Sequence, residues 1–219
     1  MFSRSTIPGA VALLAAPIVV IVSVLIQTTL SGDSVKQVAA LTSHHGPMIA
    51  GMALGMIALV LLIAGLIWLA LALAPHAPRL ALAGGVLSVF GLLVVLFQNS
   101  VDTAAPAIAS TLGPAQAAAV FDHIHSGAIS ALEPLSLVGD IGIALLGIAA
   151  VKAGAPRWAG AAIVIGALGE GAGFATGTKA LVIISFVFLF VGLLQVVRTL
   201  ASSSGSRVPA QRAPAVAVS

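Results

Sequence analysis

Six stretches of this chain stay apolar for about twenty residues or more, and the polar residues collect between them. The apolar runs lie at roughly 8–30, 48–74, 80–98, 127–151, 158–177 and 179–198. A helix rises 1.5 Å per residue, so each run is long enough to cross the roughly 30 Å of bilayer hydrocarbon. The pattern predicts an all-α fold: a polytopic membrane protein built as a bundle of six transmembrane helices. The first run follows Arg4 and could be mistaken for a secretory signal. It exceeds the roughly 7–15 residues of a signal core and lacks a clear small-x-small cleavage site, so it is read as a retained span. Pro17 falls inside it and is expected to kink it.

Composition sharpens the assignment. The chain has 219 residues, 60% of them hydrophobic and 7% charged, with no Tyr and no Cys. A soluble domain carries about 25% charged residues, so a water-facing surface cannot be assembled from this material. Without cysteine there are no disulfides and no thiolate metal sites. Nine Lys and Arg stand against six Asp and Glu. The basic residues sit singly at span ends and in the tail, whereas nucleic-acid binders cluster them on one face. No nucleic-acid partner is expected; the partner is the lipid bilayer.

The same basic residues orient the bundle. With the N-terminus in the cytoplasm, that side holds Arg4, Arg79, Lys152, Arg157, Arg198, Arg207 and Arg212, and the other side only Lys36 and Lys179. The bias places both termini in the cytoplasm of a multi-pass cell-membrane protein. Asp33, Asp102 and Asp122 then fall outside, and Trp68 and Trp158 lie near the inner interface. Residues 1–200 form the membrane domain. Residues 201–219, rich in Ser, Pro, Ala and Gly, read as a disordered cytoplasmic tail. Outer loops are expected at about 31–47 and 99–126, the second holding a short amphipathic helix that starts near Gly113-Pro114.

An internal similarity adds to this layout. Residues 77–91 and 155–169 align without gaps and share Ala77/155, Pro78/156, Arg79/157, Ala81/159, Ala83/161, Val86/164 and Gly91/169. The same offset carries His45 onto His123. The alignment reads as a parallel internal repeat relating helices 2–3 to helices 4–5, with a pseudo-two-fold axis along the membrane normal. Ala and Gly dominate the identities, and chance alignment of such segments is the competing explanation.

Candidate chemistry is concentrated in one place. At about 100° per residue, His123, Ser126, Ser130, Glu133, Ser136 and Asp140 of a continuous fourth helix share an arc of roughly 140°. Asp140 falls near the bilayer middle, and Glu170 is a second intramembrane acid in a Gly-rich segment. A charge at that depth costs several kcal/mol unless it pairs or faces water, and no intramembrane Lys or Arg is at hand. Glu133, Asp140, Glu170, Ser130 and Ser136 are therefore read as a proton or cation path. The competing reading makes them hydrogen-bonding glue between helices.

Four histidines, His44, His45, His123 and His125, gather at the outer ends of the second and fourth spans. They could supply imidazoles to Zn or Cu, and a facing His45–His123 pair could ligate haem between helices. His44, Met48, Met52 and Met56 recur every four residues, as a Cu(I) stripe would. Methionine is more often packing material, and the adjacent Gly51 and Gly55 form a small-residue face suited to a homo-oligomer or membrane partner. No Walker loop, Rossmann fingerprint, HExxH or nucleophile–base set occurs, so an enzyme is not expected. Three function classes stand: a proton- or cation-linked transport protein, a structural or regulatory membrane subunit, and a haem- or metal-binding redox subunit.

Overall fold

The computed structural model describes residues 7–30 and 34–205. In chain order its helices are α1 (Ile7–Ile26), α2 (Ser34–Ser43), α3 (His45–Leu73), α4 (Pro78–Asp102), α5 (Ala105–Leu112) and α6 (Pro114–Ile124). A π-helical turn, His125–Ile129, leads into α7 (Ser130–Lys152), followed by α8 (Arg157–Thr176) and α9 (Lys179–Gly205). α1, α3, α4, α7, α8 and α9 are long and apolar enough to cross a membrane. The chain is an integral, multi-pass membrane protein, and the all-α six-helix bundle read from the sequence is what it forms.

The six spans stand in a closed ring. Each packs on the next in chain order, and α9 returns to pack on α1. Lipid tails are as apolar as leucine, so burial of apolar surface cannot drive this association, and close packing must. Small residues supply it at the seams. Between α4 and α7, a Cβ added to Gly142 would lie 2.2 Å from the backbone nitrogen of Ser88, and one added to Gly91 would lie 2.3 Å from that of Gly139. Between α8 and α9, Gly166 and Gly173 press against the backbone at Leu189 and Val182. Between α1 and α3, Gly65 sits on the backbone of Leu13. Gly51 and Gly55, expected to offer a face to a partner, are used inside the chain: both lie against Ser23 of α1.

Large apolar side chains divide between the two sides of this ring. Leu25, Leu71 and Leu82 point outward, as lipid-facing residues should. Leu13, Leu62, Leu66, Leu69, Leu73, Ile143, Leu146 and Leu193 turn inward and fill the half of the bundle near the α3–α4 and α7–α8 turns. Those turns are tight. α7 ends with the Ala155 amide on the Ala150 carbonyl and Gly154 at φ +101°, and α8 with the Thr178 amide on the Gly173 carbonyl and Gly177 at φ +64°. Both are the six-to-one bonds of a Schellman stop, which favours glycine in the left-handed position.

The opposite end carries a cap. α2, α5 and α6 pack on one another around Val38, Leu41, Ala105, Ala109, Ala117 and Phe121, with Met48 of α3 rising into the same cluster. The expected helix after Gly113 is α6. α2 and α5 lie where only loop was expected.

The two hairpins of the sequence similarity, α3–α4 and α7–α8, are neighbours in the ring rather than facing pairs. α4 packs on α7, but α9 and α1 stand between α8 and α3. The helix-4 segment is also interrupted. Gly127 has φ −93° and ψ −119°, outside helical geometry. α1 runs through Pro17 as one element. α9 continues to Gly205, so the first residues of the expected tail are helical; residues 206–219 lie outside the described residues.

Candidate functional site: a polar cavity beneath the cap

Two concave surfaces stand out, and the larger is not the chemical one. A shallow groove of about 640 Å³ runs along the outside of the ring between α3 and α4, walled by Met56, Ile57, Val60, Leu93, Leu96 and Phe97. Its lining is almost wholly apolar, as a surface for lipid chains would be. The second, of about 350 Å³, lies inside the ring between the leucine-filled half and the cap. Polar side chains from α1, α2, α4 and α8 meet there with His125.

Each wall of this cavity follows from local sequence. The last turns of α1 bring in Ser23 and Gln27. Ser23 Oγ donates to the Gly51 carbonyl at 2.7 Å and accepts from Gln27 Nε2 at 3.0 Å. That bond is available because Gly51 lets the backbones of α1 and α3 approach. α4 contributes Gln98, Asn99 and Asp102, spaced so that one helical face reaches inward. α2 adds Gln37, α8 adds Glu170 and Phe174, and α9 adds Phe186. The Lys179 ammonium, at the start of α9, donates to the Gln27 carbonyl and so holds the end of α1 against α9. Among the described residues no Lys or Arg lines the cavity itself.

His125 closes the mouth. Its Nε2 lies 3.0 Å from Asp102 Oδ1, its ring stacks on Phe121 with centroids 5.5 Å apart, and its Nδ1 lies 2.9 Å from the Phe121 carbonyl. A carbonyl can only accept, so Nδ1 carries a proton. Nε2 stands within ion-pair distance of the Asp102 carboxyl, whose Oδ1 is buried and makes no hydrogen bond among the described residues. The Gln37 side chain reaches the same carboxyl. The pair sits at the junction of α4 and the π-helical turn.

Glu170 forms the opposite pole. It is partly accessible, to the cavity it lines, while its Oε2 is fully buried and has no hydrogen-bond partner among the described residues. Behind it stands Asp140 of α7, near enough for the two carboxyl charges to interact. Asp140 reaches this position because α8 presents Gly171: a Cβ there would meet Asp140 Oδ2 at 2.6 Å. The Gly-rich stretch around Glu170 thus makes room for a carboxyl from the adjacent helix.

Of the residues singled out in sequence, Asp140 and Glu170 are brought together. Ser130 is not in the cavity. Its hydroxyl donates to the carbonyls of Ser126 and Gly127 at 3.1 and 2.8 Å, tying down the break in the helix. Ser136 is half-buried in α7, its carbonyl at the seam with α4, 3.0 Å from where a Cβ on Gly91 would lie. Glu133 lies in the first turns of α7, and its side chain is outside the described residues. The shared arc of His123, Ser126 and Asp140 assumed one continuous helix, and the break at Gly127 rotates its upper part away.

His44, His45 and His123 are exposed, and His125 alone turns inward. Among the described residues no three of His, Asp and Glu come together as metal ligands. The methionine row also divides. Met48 sulfur accepts from the Thr28 hydroxyl at 3.2 Å, Met52 lines the cavity, and Met56 lies in the outer groove. Gln98 is the last residue of the third apolar run and Asn99 and Asp102 lie past it, so hydropathy alone does not mark them as interior. Their spacing, one helical face continuing past that point, was the available signal. Compared with protein-family models, with curated proteins and with solved structures, the chain finds no match, so its function is read from the site itself.

Proposed function

We propose that this protein is a proton-linked membrane transport protein whose substrate site is the cavity beneath the cap. The observation that carries the reading is Glu170: it lines the polar cavity, and the intramembrane Asp140 lies against Gly171, the next residue of α8. Ionisable residues inside a membrane are costly and mark proton or ion pathways by default. Here they form a series. Asp102 and His125 hold a proton at the mouth, Glu170 stands across the cavity, and Asp140 lies beyond it in the α7–α8 seam. A proton passing from Glu170 to Asp140 would leave the cavity for the far half of the bundle, where leucine side chains bar open water. In this reading the protein performs no covalent chemistry, both termini face the cytoplasm of the cell membrane, and the cap faces the opposite side.

Proton flux into liposomes tests this directly. Purified protein is reconstituted with a trapped pH-sensitive dye, and an imposed pH gradient is followed with and without a membrane potential. Wild type is expected to dissipate the gradient, with Glu170→Gln and Asp140→Asn each slowing it at least tenfold. Ser130→Ala, which touches only the helix break, should run at the wild-type rate. Both carboxyl variants passing protons as fast as wild type would remove the reading.

A further inference from the structure

The substrate class of this cavity can be narrowed by what its walls offer and what they lack. Among the described residues, the ionisable side chains lining it are Asp102, His125 and Glu170. Asp102 is already engaged by His125 and Gln37. Glu170 lines the cavity with no cationic neighbour, and its Oε2, like Asp102 Oδ1, is buried without a hydrogen bond among the described residues. A buried acceptor without a donor is a standing cost that a ligand N–H can remove. An anionic ligand would meet two carboxyls and no Lys or Arg. A bare metal ion is poorly served as well, because among the described residues no three ligating side chains converge and much of the remaining wall is Val, Leu and Phe.

The apolar part of the wall completes the argument. Phe174 lies four residues after Glu170 on α8, so the two side chains share one helical face, and Phe186 of α9 lines the same cavity. A cation near Glu170 is therefore also near aromatic rings, whose faces attract cations, more strongly where water is excluded. A volume of about 350 Å³ is within the range of small-ligand pockets, roughly 300–1,000 Å³, which pair apolar walls with a few placed polar groups. Resting on the reading of this cavity as a substrate site, we propose that it binds a small organic cation, a protonated amine on a compact apolar body. Its ammonium group donates to the Glu170 carboxyl, and its body lies against Phe174 and Phe186.

Three probes of nearly equal shape separate the charge classes: phenethylammonium, 2-phenylethanol and phenylacetate. Isothermal titration of the detergent-purified full chain is expected to show phenethylammonium binding at least tenfold tighter than 2-phenylethanol, and phenylacetate weakest. Glu170→Gln should cut phenethylammonium affinity at least tenfold and leave 2-phenylethanol unchanged, with circular dichroism and elution volume matching wild type. The wild-type series stands even if that variant misfolds. Phenylacetate binding as tightly as phenethylammonium would overturn the proposal, as would no phenethylammonium binding at millimolar concentration, which would mean a cavity holding solvent only. A charge preference that survives Glu170→Gln would also overturn it. Failure of the two readings can be told apart. Selective ammonium binding without proton flux sinks proton linkage and keeps the ligand class, whereas Glu170-dependent flux without ammonium binding does the reverse.

Discussion

Replacing Gly142 by alanine adds one methyl group at the tightest point of the α4–α7 seam. That methyl would stand 2.2 Å from the Ser88 nitrogen, 2.8 Å from the Gly84 carbonyl oxygen and 2.8 Å from the Leu87 carbonyl carbon. Ordinary contact begins near 3.4 Å, so the shortfall is about 1.2 Å. All three obstructing atoms belong to backbone, so no rotamer change relieves the clash and the helices must separate. Separation is costly along the whole seam, because a gap of about 0.5–1 Å already forfeits a quarter to a half of each dispersion contact. Overpacking of this kind costs typically about 1–3 kcal/mol, and the rigidity of the obstruction places Gly142→Ala toward the upper end. Unfolding in detergent micelles, followed by circular dichroism during titration with a denaturing detergent, measures it. Gly46→Ala is the matched control. Nothing lies within 4 Å of its added Cβ, and the same substitution in a helix at an open site stabilises by about 0.4–1 kcal/mol. The expected order of stability is Gly46→Ala, wild type, then Gly142→Ala. If Gly142→Ala unfolds within about 0.5 kcal/mol of wild type, the range of an uninvolved surface site, the seam is not the close approach described.

Two further outcomes are expected. Ser23→Ala removes the donor to the Gly51 carbonyl and the acceptor for Gln27; it should destabilise by about 0.6–1.7 kcal/mol, the span of interhelical hydrogen bonds measured in membranes, and Gln27→Ala added to it should cost little more. Reporter fusions after Arg79, after Arg157 and at the C-terminus should all report cytoplasm, and one near Ala105 the other side; an external C-terminus would reverse the placement of the cap and cavity mouth.

The bundle was legible in the sequence because the bilayer forces a length and a polarity on every span, and six runs met both. Asp140 and Glu170 were legible for the same reason, since an acid inside an apolar run is conspicuous. Their pairing was not, because it depends on Gly171 letting Asp140 reach α8, which is a fact about rotation of two helices. The cavity's remaining polar groups were hidden in another way. Gln27, Gln98, Asn99 and Asp102 sit at span ends, where polar residues are ordinary, and only the cap above them turns that position into an interior. α2 shows why the cap was missed: Ser34–Ser43 is too short to register as a span, and its apolar face, Val38 and Leu41, is buried only because α5 and α6 pack on it. The histidine pattern misled for a local reason. A spacing argument carried His123 and Asp140 onto one face, and the break at Gly127, held by Ser130, cancels the register between them.

The closed ring also sets an order of assembly. Around the ring, every seam but one joins spans that are consecutive in the chain, so five of these six seams can form as the polypeptide emerges, each between a helix and the one just inserted, while α3 also touches α7. The α1–α9 seam joins the first span to the last and must wait for the whole domain. Until then the cavity is a trough open sideways, and Ser23, Gln27 and Glu170 border hydrocarbon rather than protein. The most polar part of the interior is thus sealed by the final event of folding, when Lys179 meets the end of α1. A ribosome pause or truncation just before α9 would leave a nearly complete bundle with its buried acid facing lipid, the kind of intermediate that membrane quality control is suited to detect.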